Sequence, residues 1–213
     1  MNPKIWPSGG TIGSALSGHI ADPDAHLHAL TTLNGTFTGF TAAQAKTANI
    51  TGAGSDNPVV RAIRLWISND PGADTNIVAR LSLYNADSMT EDELLREFYF
   101  NVTYTEVKTG TWAAAGTGGD CDSTAGLVKY DLVRLMGGTA ENVRISAVTD
   151  ADTLAVTTLA GAHVVDTGIV RVVEIPGLMQ LVDADGSEEI HAKLEFLSAP
   201  NATTNVYMEV DVQ

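Results

Sequence analysis

The sequence is poor in cysteine, in long apolar runs and in positive charge. Cys121 is the only cysteine among 213 residues, so no disulfide can form within one chain. No stretch approaches the roughly 20 consecutive apolar residues that a membrane-spanning helix needs, so membrane insertion is not expected. The first residues lack the apolar centre of a signal peptide, which predicts synthesis in a cytoplasm without conventional secretion.

The shortage of positive charge excludes one class of partner. The chain has 12 Lys and Arg residues against 26 Asp and Glu, which gives a formal net charge of -14. Such a surface repels phosphate backbones, and no basic cluster interrupts it, so nucleic-acid binding is not expected. The hydrophobic fraction of 44% still allows a core, and the low aromatic fraction of 6% suits thin β-sheets better than a helical bundle.

The composition divides the chain into two parts near residue 55. Residues 1–55 are rich in Gly, Thr, Ala and Ser and have too few apolar residues for a core of their own. We therefore predict an extended N-terminal arm that gains order by packing on a partner. A short helix is expected around residues 24–32, with Asp22 as its cap and Pro23 in its first turn.

Residues 56–213 show the period-two alternation of β-strands. It is clearest in residues 59–67, 77–84, 98–104 and 206–212, and shorter candidates are 127–135, 142–149, 153–158, 168–175 and 189–197. Turn residues separate these segments, and their spacing predicts an all-β, antiparallel, jelly-roll-like β-sandwich. In the first strand, Arg61 should share a face with Ile63, whereas Trp66 should lie on the opposite face.

Two segments depart from the strand pattern. Thr90–Glu93 matches a capping box and predicts a short helix that extends through Glu97. Residues 110–126 are too long for a tight hairpin and are interpreted as a loop on the surface.

Known enzyme motifs are absent from the sequence. Neither a nucleophile elbow nor a zinc-binding H-E-x-x-H helix is present, and Gly116–Asp120 lacks the lysine of a phosphate loop. Asp120 and Asp122 flank Cys121, and their charges should raise its pKa and weaken it as a nucleophile. We therefore expect a non-enzymatic protein without a cofactor. A glycosidase that uses two converging carboxylates stays open as an alternative.

Three histidines and two aspartates lie within the ten residues from His19 to His28. Imidazole and carboxylate groups both bind first-row transition metals. His26 and His28 are two residues apart, so on an extended backbone both rings would point the same way. Chains around a threefold axis would then present a ring of nitrogens to an axial transition metal. The alternative is that these histidines cap turns or pack at a subunit interface.

The same segment resembles the H-x-x-D-P-x-x-H segment of tail fibres and related appendages of tailed bacteriophages. The matching residues are His19, Asp22, Pro23, Asp24, His26 and Leu30. Ala25, Leu27, His28 and Ala29 depart from the usual pattern. The resemblance implies a virion protein made in the host bacterial cytoplasm: a tail fibre, a head fibre or spike, or a capsid decoration protein. It also implies a homo-oligomer, with a trimer as first choice and a pentamer as second, in which the matching residues anchor the arm on neighbouring virion subunits.

Trp66 and Trp112 indicate an alternative function from a different class. Aromatic rings that face outward from a sandwich can stack on sugars, which would suit a carbohydrate-binding module for host adhesion. The competing role for both residues is packing in the core or between subunits.

Overall fold

The computed structural model describes residues 31–49, 59–86, 93–137, 140–180 and 189–212. Every regular element in these ranges is a β-strand, and every pairing between strands is antiparallel. The strands are β1 (Thr31–Phe40), β2 (Ala45–Asn49), β3 (Val59–Ile67), β4 (Thr75–Ala86), β5 (Glu93–Glu106), β6 (Gly118–Asp120), β7 (Leu132–Leu135), β8 (Glu141–Val148), β9 (Thr153–Val156), β10 (Gly168–Gln180), β11 (Glu189–Phe196) and β12 (Thr204–Val212).

The strands form two facing layers that share β10. The first layer has the order β1-β12-β3-β10, and the second begins β2-β11-β4-β5-β10 and continues into β7 and β8. The start of β10 pairs with β5 and β7, whereas its later residues pair with β3 across a bulge between Pro176 and Met179. The prediction of an all-β, antiparallel, jelly-roll-like sandwich is confirmed.

Side chains from both layers alternate into one apolar core. Val206, Met208 and Val210 of β12 are fully buried, as are Leu81 and Leu83 of β4. At one side of this core the rings of Phe40 and Phe196 stack with centroids 4.0 Å apart. A period of two therefore fills the space between the layers with one face of each strand.

A second core lies in residues 107–167, which we call the insertion lobe because they connect β5 to β10. It contains β6 to β9 and buries Trp112, Cys121, Ile145 and Leu154. The expectation that residues 110–126 form a surface loop is therefore wrong. Trp112 and Cys121 supply apolar volume that a lobe of such short strands would otherwise lack.

The predicted boundary near residue 55 does not coincide with the sheet. Within residues 1–55, β1 pairs with β12 and β2 pairs with β11, and Phe37 and Phe40 of β1 are buried in the main core. Residues 31–49 are thus strands of the sandwich, and the part predicted as an arm that precedes them, residues 1–30, lies outside the described residues.

Two helix predictions can be compared with the strands. The helix through Glu97 is wrong, because β5 starts at Glu93 and pairs with β4 residue by residue, with Glu97 opposite Ser82. Pairing with a neighbouring strand outweighs the local capping pattern. The helix around residues 24–32 overlaps the described residues only at Thr31 and Thr32, which are extended in β1.

The predicted face of Arg61 is also wrong. Val60 and Ile63 both point into the core, and Arg61 between them is exposed. The register of β3 against β12 shifts at this point, where Val212 pairs with Val60 and Asp211 pairs with Ala62. Such a bulge places one extra residue on a strand and reverses the alternation beyond it.

Candidate functional site

The residues predicted to anchor the arm or to bind metal lie outside the described residues. These are His19, Asp22, Pro23, Asp24, His26, His28 and Leu30. Their roles stay predictions. In the described ranges, no group of three or more His, Cys, Asp or Glu residues is arranged to hold a metal ion. The described residues also include no helix long and apolar enough to cross a membrane.

The described residues that follow the segment His19–Leu30 in the sequence form an edge of the sandwich. β1 begins at Thr31, directly after Leu30, and pairs through Phe37 with β12. Among the described strands β1 has no partner on its other side, so it is the last strand of the first layer, and β2 likewise is the last strand of the second. An edge strand presents a row of backbone donors and acceptors that can pair with another chain.

The side chains of β1 itself carry none of the usual edge protection, although Lys46 of β2 and Lys193 of β11 line the pocket beside Thr36 and Thr38. The strand is 10 residues long and carries no charge and no proline. Its exposed side chains, Asn34, Thr36 and Thr38, alternate with buried or half-buried positions. Proteins commonly blunt an edge with lysine, proline or a bulge, whereas the irregularity in β1 occurs only after Phe37. The segment Thr31–Phe37 is therefore a regular template for strand pairing.

An aromatic groove lies on the outer face of the first layer, where the insertion lobe meets it. It has a volume of about 480 Å³. Its lining includes Trp66 of β3 and Ser68 just after it, Tyr207 and Glu209 of β12, and Arg134 of β7 with Met136 just after it. These side chains are half-buried. The strand alternation places Trp66 opposite the core-facing Leu65 and Ile67, as predicted.

The groove combines aromatic rings with charged groups. The ring centroids of Trp66 and Tyr207 are 4.9 Å apart at an angle of 47°, and the guanidinium carbon of Arg134 lies 5.6 Å from the Trp66 ring. Within the described ranges no carboxylate lies at ion-pair distance from Arg134. Glu209 forms a long contact with Arg64, whose Nη1 is 3.5 Å away.

Arg64 is held mainly by a different carboxylate. Its Nη2 donates to Asp211 at 2.6 Å, and this hydrogen bond raises the pKa of Arg64 against the opposing effect of burial. Glu209 is therefore the weaker partner of Arg64, and its carboxylate keeps acceptor capacity towards the groove.

Trp112 does not share the placement of Trp66. It is 2% exposed in the core of the insertion lobe, and its Nε1 donates to the backbone oxygen of Asp120 at 3.2 Å. Its ring faces are covered by protein, so the carbohydrate alternative rests on Trp66. The sequence offered a signal for this difference, because only Trp66 lies in a strand with clear alternation.

The insertion lobe contains a buried hydrogen-bonded pair, His163 and Glu141, that the sequence did not indicate. His163 is 1% exposed, and its Nε2 lies 2.6 Å from Oε1 of Glu141. The same carboxylate accepts the backbone N–H groups of Ala160 and Gly161 at 2.8 and 3.0 Å. Burial alone would raise the pKa of Glu141, but these hydrogen bonds outweigh it and hold the pKa below its ordinary value.

The carboxylates around Cys121 serve the structure of the lobe. Lys108 Nζ donates to Asp152 at 2.9 Å, and this contact, with Asp122 and Asp120 nearby, raises the pKa of Lys108. Burial is the main cause that raises the pKa of the Cys121 thiol to about 12, with Asp152 and Asp74 adding to it. The predicted direction of the Cys121 shift is confirmed, although burial and not the flanking Asp120 and Asp122 is its main cause.

Comparison with known proteins yields little. No family model matches the chain, and no curated protein matches it. Among solved structures, a crystal structure of the selenomethionine-labelled mavirus penton protein matches with a TM-score of 0.19 and 8% identity, over 87% of this chain and 99% of that one. A likeness at this level supports no inference about fold or function.

Proposed function

We propose that the protein is a structural component of a bacteriophage virion that assembles as a homo-oligomer. The observation that carries this proposal is the position of β1, which follows the phage-like segment His19–Leu30 directly in the sequence and is an uncharged edge strand of the sandwich. The segment resembles phage appendage proteins, and the edge supplies a means of joining chains.

The assembly step is strand pairing at β1. A neighbouring copy that aligns a different edge strand, and not its own β1, with Thr31–Phe37 would satisfy backbone groups of that edge. Pairing of β1 with β1 would be twofold and would stop at a dimer, whereas this head-to-tail pairing can close into the expected trimer or pentamer. Uncharged Asn34, Thr36 and Thr38 present no charge repulsion to a neighbouring copy, which matters in a chain with a net charge of -14. Residues 19–30 are proposed to bind neighbouring virion subunits.

Deletion of residues 1–30 tests the anchoring role. This deletion keeps every described strand, whereas deletion of residues 1–55 would also remove Phe37 and Phe40 from the core. We expect the shortened chain to keep its far-ultraviolet circular dichroism spectrum but to be lost from purified phage particles, as measured by quantitative mass spectrometry. Particles that contain the shortened chain at the parent level would contradict the proposal.

A separate pair of substitutions tests the edge. Asn34→Lys together with Thr36→Lys places like charges along β1 and should weaken pairing between copies. Thr158→Lys is the control, because Thr158 is exposed in the insertion lobe away from this edge. Sedimentation velocity should show a smaller species for the β1 variant and the parent species for the control. Equal species for all three proteins would contradict pairing at β1.

A further inference from the structure

The groove at Trp66 has a size and lining that the strand-pairing function leaves unused. Its volume of about 480 Å³ falls within the roughly 300–1,000 Å³ typical of small-molecule sites. It opens where the face of the sandwich meets the insertion lobe, and its Tyr207 and Glu209 are the β12 register partners of Thr36 and Asn34 on β1.

The aromatic residues provide one half of a recognition surface. Trp66 and Tyr207 are cross-strand neighbours in the register of β3 and β12, so the two strands fix the spacing of their rings. Half-buried rings give a ligand apolar contact area at a low cost in side-chain entropy.

The polar residues provide the other half. Arg134 can donate several hydrogen bonds in one plane, Glu209 can accept them, and the hydroxyl of Ser68 can do both. A ligand that suits this lining must have apolar faces beside closely spaced groups that both donate and accept. A pyranose sugar has this character, with axial C–H groups on its faces and hydroxyls around its rim.

The charges of the groove exclude other ligands of similar size. Glu209 lies in the groove and the whole chain is acidic, so a phosphate-bearing ligand such as a nucleotide would be repelled. A purely apolar ligand would desolvate the guanidinium of Arg134 and the carboxylate of Glu209, whose contacts with Asn142 at 3.4 Å and Arg64 at 3.5 Å are long.

We propose that the groove between β3, β12 and β7 binds a pyranose saccharide, which stacks on Trp66 and Tyr207 and accepts hydrogen bonds from Arg134. The saccharide proposal does not require strand pairing at β1, and its variants leave β1 unchanged. A virion protein with this groove would contact a glycan surface.

The test is binding of the full chain to an array of immobilised neutral, amino-sugar and uronic-acid oligosaccharides, followed by titration calorimetry with the soluble form of any saccharide that binds. Trp66→Ala and Arg134→Ala are the site variants. Tyr99→Ala is the matched control, because Tyr99 is an aromatic residue on β5, 60% exposed, and not part of the groove. Thermal unfolding verifies that each variant is folded.

We expect saturable binding by the parent and by Tyr99→Ala, and at least tenfold weaker binding by Arg134→Ala, a change of about 1.4 kcal/mol. Trp66→Ala should weaken binding at least as much. If Trp66→Ala fails to fold, Arg134→Ala decides, because its side chain is not part of either core. The proposal is overturned if the parent binds no saccharide on the array, or if binding survives Arg134→Ala unchanged.

Discussion

Replacement of Glu141 with alanine should destabilise the protein far more than removal of an exposed carboxylate. Glu141 lies at the start of β8, is 13% exposed, and accepts hydrogen bonds from His163, Ala160 and Gly161. It thereby holds the segment around residues 160–163 against the lobe. The same segment is fixed on its other side by the reciprocal backbone hydrogen bonds between Trp112 and His163, at 2.8 and 2.9 Å.

The size of the stability loss follows from the donors that lose their acceptor when Glu141 is removed. A hydrogen bond to a charged group contributes about 1.5–3 kcal/mol, and His163 cannot replace it with water because it is 1% exposed. Nδ1 of His163 already has no partner in the described structure, so the variant would leave both ring nitrogens unpaired. The two backbone N–H groups add a smaller amount, since Ala160 is exposed to solvent. The expected total is about 3 kcal/mol, or a fall in Tm of roughly 6–12 °C for a chain of this size.

The assay is thermal and urea unfolding of Glu141→Ala, monitored by tryptophan fluorescence and circular dichroism. Glu174→Ala is the matched control, because its carboxylate pairs with Arg144 at 2.8 Å but both side chains are more than a third exposed. Such a surface pair contributes no more than about 1 kcal/mol. If Glu141→Ala loses no more stability than Glu174→Ala, the structural role assigned to the His163–Glu141 pair is refuted.

The pH dependence of this effect has a defined sign. The pKa of Glu141 is lower in the folded protein than its ordinary value of 4.5, so its ionised form stabilises the fold. This stabilisation is complete above the unfolded pKa and is lost as the pH falls through the lower, folded pKa. The stability difference between the parent and Glu141→Gln should therefore shrink as the pH falls below about 4.5. A difference that grows in this range would contradict the assignment.

Three further perturbations have defined outcomes in unfolding or labelling assays. Phe40→Ala should cost about 3–5 kcal/mol, because the ring is buried on Phe196, and a loss below about 1 kcal/mol would contradict the place of β1 in the core. Gly118→Ala should cost about 3 kcal/mol or more, since the added Cβ would lie 2.4 Å from the oxygen of Leu154 at a φ of +98°. Gly72→Ala is the control, because its φ is +70° but the added Cβ would lie in open space, and it should cost about 1–2 kcal/mol. Equal losses of stability for the two variants would refute the close contact between residue 118 and Leu154. Cys121, with its pKa raised to about 12, should react slowly with a disulfide reagent at neutral pH, and labelling as fast as that of an exposed thiol would refute its burial.

The sandwich could be predicted from the sequence because its strands obey a local rule. Ile77, Ala79, Leu81 and Leu83 alternate with polar or half-buried residues, and this pattern alone identifies which face is buried. The same rule failed at Arg61, where a bulge in β3 shifts the alternation by one residue. The bulge depends on the register with β12, a partner nearly the whole chain away, so no local pattern reports it.

β1 and the insertion lobe show a second limit of local patterns. Gly35 and Gly39 and several threonines make β1 resemble a linker, although Phe37 and Phe40 anchor it in the core. Trp112 and Cys121 lie among glycines and alanines, and distant segments pair with them: His163 with Trp112, and Val107 and Asp152 with Cys121. In both places, stability comes from contacts between distant segments.

The sequence predicts only some features of the groove. Trp66 could be placed on the outer face of its strand by alternation, and Tyr207 and Glu209 alternate with the core residues of β12 in the same way. That these residues meet Arg134 depends on the pairing of β3 with both β12 and β10. The sequence alone therefore predicts which side chains share a face of a strand, but not the order of the strands in the sheet.

Native mass spectrometry of the purified full chain, from nanomolar to high micromolar concentration, tests the central claim most directly. Homo-oligomeric assembly through β1 predicts one closed oligomer, a trimer as first choice or a pentamer as second. The same account predicts a shift towards monomer in the Asn34→Lys, Thr36→Lys variant but not in Thr158→Lys. A parent protein that stays monomeric at every concentration would contradict it.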